Sequence, residues 1–119
     1  MKICTFEEII AWQKAKELSV LIYKTFHSSR DYGFKDQIQR ATVSIMNNIA
    51  EGFERRSDNE FRQGLYIAKG SCAEVRSMVY LAYELNMISE LQFEAIKHLN
   101  LETCRILSGL IKSLKVEQI

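Results

Sequence analysis

The 119-residue chain carries 16 basic and 15 acidic side chains, five glycines, three cysteines and no proline, which points to a single domain over 1–119. Its 47% apolar and 26% charged residues exclude low-hydrophobicity disorder, and its net charge of +1 excludes strong bulk attraction to nucleic acid or anionic membranes while leaving local patches open. No apolar run nears the roughly 20 residues of a membrane span, and residues 1–10 lack the features of a signal peptide. Cys4, Cys72 and Cys104, odd in number and far apart, suit reduced thiols, so a cytoplasmic domain is expected.

In chain order, Thr5 and Glu8 have capping-box spacing, which predicts a first helix whose inward stripe is Trp12, Ala15, Ser19, Ile22 and Phe26. Turn formers from His27 to Gly33 mark the first loop. The second helix opens near Phe34, carries Ile38, Ala41, Ile45 and Ile49 inward, and ends between Gly52 and Arg56. Ser57 and Glu60 repeat the capping spacing before the third helix, where Phe61, Leu65, Ala68, Cys72, Val75, Val79 and Ala82 keep an unbroken four-three alternation. Asn86 suits a left-handed stop. Ser89 and Gln92 then cap a fourth helix with Ile96, Leu99, Thr103, Ile106 and Leu110 inward.

Four helices of about 20 to 29 residues, roughly 30 to 43 Å each, joined by short connections, predict an all-α, antiparallel up-down-up-down four-helix bundle. Two helices carry more apolar surface than such a bundle buries. The fourth has a second stripe of Cys104, Leu107, Ile111 and Leu114, and the third adds Tyr66, Ile67, Met78, Leu81 and Tyr83. Self-association follows from that surplus.

Chemistry is thin along the chain. His27 and His98 have no second histidine or cysteine at the i+3 or i+4 spacing that puts two ligands on one helical face, so no metal site is expected. No glycine-rich loop precedes a helix in the manner of a phosphate cradle. Neither a cofactor nor a small-molecule substrate is indicated, Cys72 reads as a small core residue, and the chain is expected not to be an enzyme. A polar stripe on the second helix, including Gln37, Arg40, Ser44, Asn48 and Glu51, faces Lys69, Gly70, Ser71 and Glu74 of the third. These residues are expected to form a structural polar network, with Arg40 toward Glu74 or Glu51 and Gly70 letting another backbone come close.

The same blocks carry a family resemblance. Phe6 with Trp12-Gln13-Lys14-Ala15, the run Gln37 to Ile45, Asn48-Ile49-Ala50-Glu51-Gly52-Phe53, and Ala68-Lys69-Gly70-Ser71 with Glu74 resemble the bacterial four-helix-bundle proteins encoded in intervening sequences of large-subunit ribosomal RNA genes. Members are sometimes labelled ribosomal proteins, and accessory proteins of diversity-generating retroelements are similar. The resemblance spans residues 6 to about 115. It implies a left-handed four-helix bundle assembled as a homopentamer, with nucleic-acid or ribonucleoprotein binding as a shared capability. Where the family commonly has proline, this chain has His27 and Met46.

Arg55 and Arg56, with Arg62 one to two turns on, are the expected phosphate contacts, because basic clusters repeated around an oligomer act collectively through counterion release. Glu54, Asp58 and Glu60 stand among them. The expected function is therefore a non-enzymatic oligomeric binding or scaffold protein, RNA- or ribonucleoprotein-associated. The alternative is a protein–protein adaptor ring without nucleic-acid contact.

Overall fold

The computed structural model describes residues 2–114. A short 3₁₀ turn, Phe6–Glu8, precedes α1 (Ile10–Thr25), α2 (Tyr32–Glu54), α3 (Asp58–Glu84) and α4 (Glu90–Ser113). The fold is all-α, with four helices and no strand among the described residues, in a body of 49 × 25 × 20 Å.

Of the three predicted caps, those of the third and fourth helices form at the starts of α3 and α4, the first closes something different, and α2 gains a cap that was not predicted. The Glu8 carboxylate accepts the Thr5 N–H at 2.8 Å, the Cys4 N–H at 3.0 Å and the Thr5 hydroxyl at 3.2 Å, bonds that hold its pKa below the usual carboxylate range, the Thr5 backbone bond foremost. They close only a 3₁₀ turn. Ile9 then adopts extended backbone and buries its side chain, so the α-helix starts at Ile10 and is 16 residues long, shorter than predicted. Asp31 starts α2 by accepting from Phe34 N–H at 3.1 Å, which draws Tyr32 and Gly33 out of the expected loop into the helix. Without proline at 46, α2 runs unbroken to Glu54. Ser57 caps α3 through Glu60 N–H at 3.2 Å, and Ser89 and Gln92 form a reciprocal box at 3.1 and 2.9 Å. Asn86 ends α3 in the left-handed region at φ 58°.

All seven predicted residues of α3 and all four of α2 are buried. Ala15, Ser19 and Ile22 of α1 and Phe26 just after it face inward, while Trp12 is half-buried edge-on to Phe6 at 5.1 Å. Helix α4 departs from expectation: Ile96 and Thr103 are buried, but Asn100, Leu107 and Ile111 replace Leu99, Ile106 and Leu110, which are only partly covered. The cause is a polar clasp. Asn100 Nδ2 donates to the Cys72 carbonyl at 2.8 Å, the Cys72 thiol donates back to the Asn100 carbonyl at 3.4 Å, and Arg76 Nη1 donates to Asn100 Oδ1 at 3.2 Å. A buried carboxamide must keep its hydrogen bonds, so this clasp turns α4 toward its second apolar stripe.

Helix α1 packs on α2 and α4, and α3 packs on the same two. Among the described residues α1 and α3 do not pack together, nor do α2 and α4. The four therefore stand as corners, with Leu18, Ile22, Ile38, Ile45, Ile49, Leu65, Val75 and Ile96 filling the middle. Full burial of each such side chain contributes about 1.5–3 kcal/mol. Ser19 and Thr42 meet at 3.3 Å between α1 and α2, where both are buried and bonded.

Candidate nucleic-acid interface at the α2–α3 joint

Helices α2 and α3 come into close backbone approach near their link. A Cβ on Gly64 would stand 2.7 Å from the Asn48 carbonyl oxygen and 3.1 Å from Gly52 Cα, and one on Gly52 would stand 3.3 Å from Gly64 Cα. Both obstacles are backbone, so this pair of glycines sets the separation of the two helices. The close approach expected at Gly70 does not occur: nothing lies within 4 Å of where its Cβ would be. The sequence signal for the true crossing was a glycine flanking the apolar stripe of α3, one residue before Leu65.

The crossing brings the two helix ends together, where Arg55 and Arg56 are exposed and Arg62 is half-buried. Arg55 ends α2, Arg56 takes a left-handed φ of 67°, and Ser57 begins the next cap. The Arg56 guanidinium lies over Phe53 at 5.5 Å and 3.7 Å from the Glu54 carboxylate. Phe53 is in turn edge-on to Phe61 at 5.5 Å. Lys2 and Arg56 share a groove of about 360 Å³ beside the start of α3, a pairing that sequence spacing could not reveal. Arg55 lies on the other side, in a cavity of about 300 Å³ with Glu51, Glu60 and Gln63. Arg62 shares Gln63 as a neighbour and sits over Tyr66 at 5.4 Å with its Nε buried and without a hydrogen-bond partner. The three arginines thus ring the start of α3 rather than converging on one point. Among the described residues the one ion pair they make is Arg56 with Glu54; at such exposure it is worth about 1 kcal/mol or less.

The expected polar network is divided in two. Its centre exists: the Ser44 and Ser71 hydroxyls meet at 2.9 Å, and Asn48 Nδ2 donates to the Ser44 carbonyl at 2.8 Å and its hydroxyl at 3.0 Å. Arg40 is not part of it. Its exposed guanidinium bonds Asp36 one turn back at 2.9 Å, the i,i+4 spacing that places two side chains side by side on one helix face. Glu74 is exposed and accepts from Gln37 at 3.4 Å, and Glu51 is exposed beside Arg55. The buried polar centre of the molecule is instead the Asn100 clasp, whose one sequence signal was an asparagine beside the apolar stripe of α4. Burial pushes the Cys72 thiol within it up to about 12, with Cys104 adding to the effect and Arg76 opposing it.

Among the described residues, no three His, Cys, Asp or Glu side chains are grouped so as to hold a metal ion. No described helix is long and apolar enough to cross a membrane.

Residues 7–109, from the 3₁₀ turn to near the end of α4, match the family model of the 23S rRNA-intervening sequence proteins. The chain belongs to this family. A similar solved structure, that of a protein with unknown function from the S23 ribosomal protein family of Bacteroides thetaiotaomicron VPI-5482, is 27% identical with a TM-score of 0.81 and covers 87% of this chain and 99% of its own. No curated protein matches the chain. For this member of the 23S rRNA-intervening sequence proteins, both the family and the four-helix all-α architecture agree with the resemblance carried by the Gln37–Ile45 and Asn48–Phe53 blocks. Those blocks hold the Ser44–Asn48 hydrogen bonds and one glycine of the crossing.

Proposed function

We propose that this protein is a non-enzymatic, oligomeric binding or scaffold protein that holds RNA or a ribonucleoprotein in the cytoplasm through Arg55, Arg56 and Arg62. The observation that carries the reading is the α2–α3 joint, where Arg56 takes a left-handed conformation beside Lys2 and Arg55 stands exposed on the other side, with a single weak ion pair among the arginines within the described residues. Cations that give up little on leaving their own carboxylates are available to phosphates, and the positive end of α3 lies beside them. The family description is consistent with an RNA connection and supports the reading to that extent.

The bundle runs antiparallel, up-down-up-down, in this reading. Pairs meeting across the joints support it: Phe26 with Phe34 at 5.6 Å, Phe53 with Phe61 at 5.5 Å and Tyr83 with Phe93 at 4.6 Å lie near the links, and Ser19 with Thr42 and Ser44 with Ser71 lie farther along. The assembly is a homopentamer, as the family resemblance implies and as the exposed apolar faces of α1 and α3 support. Five copies multiply each arginine around one axis, turning a near-neutral chain into a collective phosphate-binding surface.

Retention of an RNA by the intact oligomer, measured across a salt series, tests this. Binding weakens steeply as salt rises, and Arg55→Ala with Arg56→Ala lowers it by about tenfold or more at low salt. Absent or salt-independent retention refutes the reading. Glu54, Asp58 and Glu60 beside the arginines favour the second reading, a protein–protein adaptor ring. Partners that persist through nuclease treatment in affinity capture select the adaptor.

A further inference from the structure

The outward faces of α1 and α3 carry large apolar side chains that nothing among the described residues covers. On α3, Tyr66 and Ile67 are 51% and 49% exposed, and Tyr80 and Leu81 are 47% and 50% exposed. About 20 Å of helix separates Ile67 from Tyr80. Along the midline between these pairs stand Gly70, Ala73 and Ser77, all exposed. Beyond its own helical backbone, Gly70 meets no described atom within 4 Å of its Cβ position, so no contact seen there requires a residue that weakens a helix interior. The result is a shallow trough with large apolar side chains at each end. Its two tyrosines are braced, Tyr66 by Arg62 at 5.4 Å and Tyr80 by Lys97 at 5.7 Å.

Helix α1 presents a matching face. Ile10, Val20 and Tyr23 are 53%, 47% and 44% exposed, and Lys16 and Lys24 stand exposed between and beside them. Glu74 and Glu84 hold the equivalent places on α3. With the two helices running in the same direction, one register sets Ile10 on Ile67, Val20 on Ser77 and Tyr23 on Tyr80. The same register brings Lys16 to Glu74 and Lys24 to the turn holding Glu84. Glu17 pairs with Lys14 at 3.7 Å, and Lys16, whose ammonium lies over the Trp12 ring at 5.4 Å, makes no ion pair among the described residues, so its charge is available to an α3 carboxylate. Because α1 and α3 do not pack together, these faces lie at opposite corners of the molecule. Unlike and complementary faces produce head-to-tail contacts, which form a ring where the rotation between successive copies closes. An α3-to-α3 contact would instead gather the Glu74 side chains near one axis and leave the α1 face uncovered.

We infer that a second copy of this chain docks its α1 face, through Ile10, Val20 and Tyr23, into the α3 trough between Tyr66–Ile67 and Tyr80–Leu81, with Lys16 and Lys24 against Glu74 and Glu84. The inference rests on the proposed self-assembly and assigns its two faces.

The test uses the full chain, with mass measured by light scattering over a dilution series. Lys16→Glu and Glu74→Lys each weaken assembly by about three- to tenfold, and the double exchange restores it, a rescue that damage to the fold cannot produce. In a Cys4→Ser, Cys104→Ser background, Val20→Cys with Ser77→Cys links copies into a covalent ladder on oxidation, whereas Ser77→Cys alone does not. A disulfide-linked dimer from Ser77→Cys alone overturns the assignment in favour of α3 self-docking. An oligomer that ignores both charge reversals and forms no ladder overturns the assignment while self-assembly stands. A monomeric parent chain overturns both.

Discussion

Gly64 and Gly70 lie in the same helix and answer to opposite constraints. Gly64→Ala drives a methyl group into the Asn48 carbonyl, an obstacle that moves only if α2 and α3 separate, and is expected to cost about 1–3 kcal/mol in urea unfolding. Gly70→Ala enters open space and is expected to stabilise the fold by up to about 1 kcal/mol through helix propensity. Composition and periodicity could not rank these two, because a glycine inside a helical pattern looks alike whether a backbone approaches it or not. The same holds for Arg40, whose partner on the next turn is as visible in the sequence as the partners expected across the interface; only the direction of the side chain separates them. Cys72 gives a further test. Its thiol is raised from an ordinary 9.0 to about 12 in the folded protein, so above about pH 9 the unfolded chain has released a proton that the folded chain keeps. Stability is then present below pH 9 and falls between pH 9 and 12, by up to about 1.4 kcal/mol per pH unit. The slope disappears in Cys72→Ala. At neutral pH a thiol reagent modifies exposed Cys4 in the native protein and reaches Cys72 only on unfolding.

At the level of elements, the rotation of α4 is the feature with most leverage. Apolar spacing placed a helix after the Ser89–Gln92 cap but offered two adjoining stripes, and hydrophobicity alone does not choose between faces of nearly equal character. The choice falls to Asn100, because its carboxamide cannot be buried without donors and acceptors, and α3 supplies both. Asn100→Ala is expected to lose about 1–3 kcal/mol of stability, since it strips Arg76 of a partner and leaves a gap. Removing the cap with Ser89→Ala is expected to cost about 1 kcal/mol and to speed amide exchange in the first turn of α4 only. Legibility follows the same physics. Helix α3 could be read residue by residue because every inward position is apolar, whereas α1 began late because the capping residues at Thr5 and Glu8 built a 3₁₀ turn and the buried Ile9 redirected the chain. The joint was legible as a run of arginines but not as a site, since Lys2 reaches it from the far end of the sequence.

For the whole molecule, docking of α1 on α3 and display of arginines at the α2–α3 joint make one connected expectation. Copies related by a rotation axis point the same way, so the joints of all copies gather on one rim. Ile67→Glu, at an exposed position, is then expected to keep native helical content by circular dichroism, give a monomer by light scattering, and lose RNA retention by about tenfold or more even though each arginine is intact. Equal retention by monomer and ring would separate the two properties. The backbone of the joint supplies the complementary variant. Arg56 occupies a left-handed conformation that disfavours any residue with a Cβ and suits glycine best. Arg56→Gly therefore discharges the rim while relieving the chain, so a protein that melts later yet lets go of its ligand would show that the side chain is kept for what it touches outside the fold.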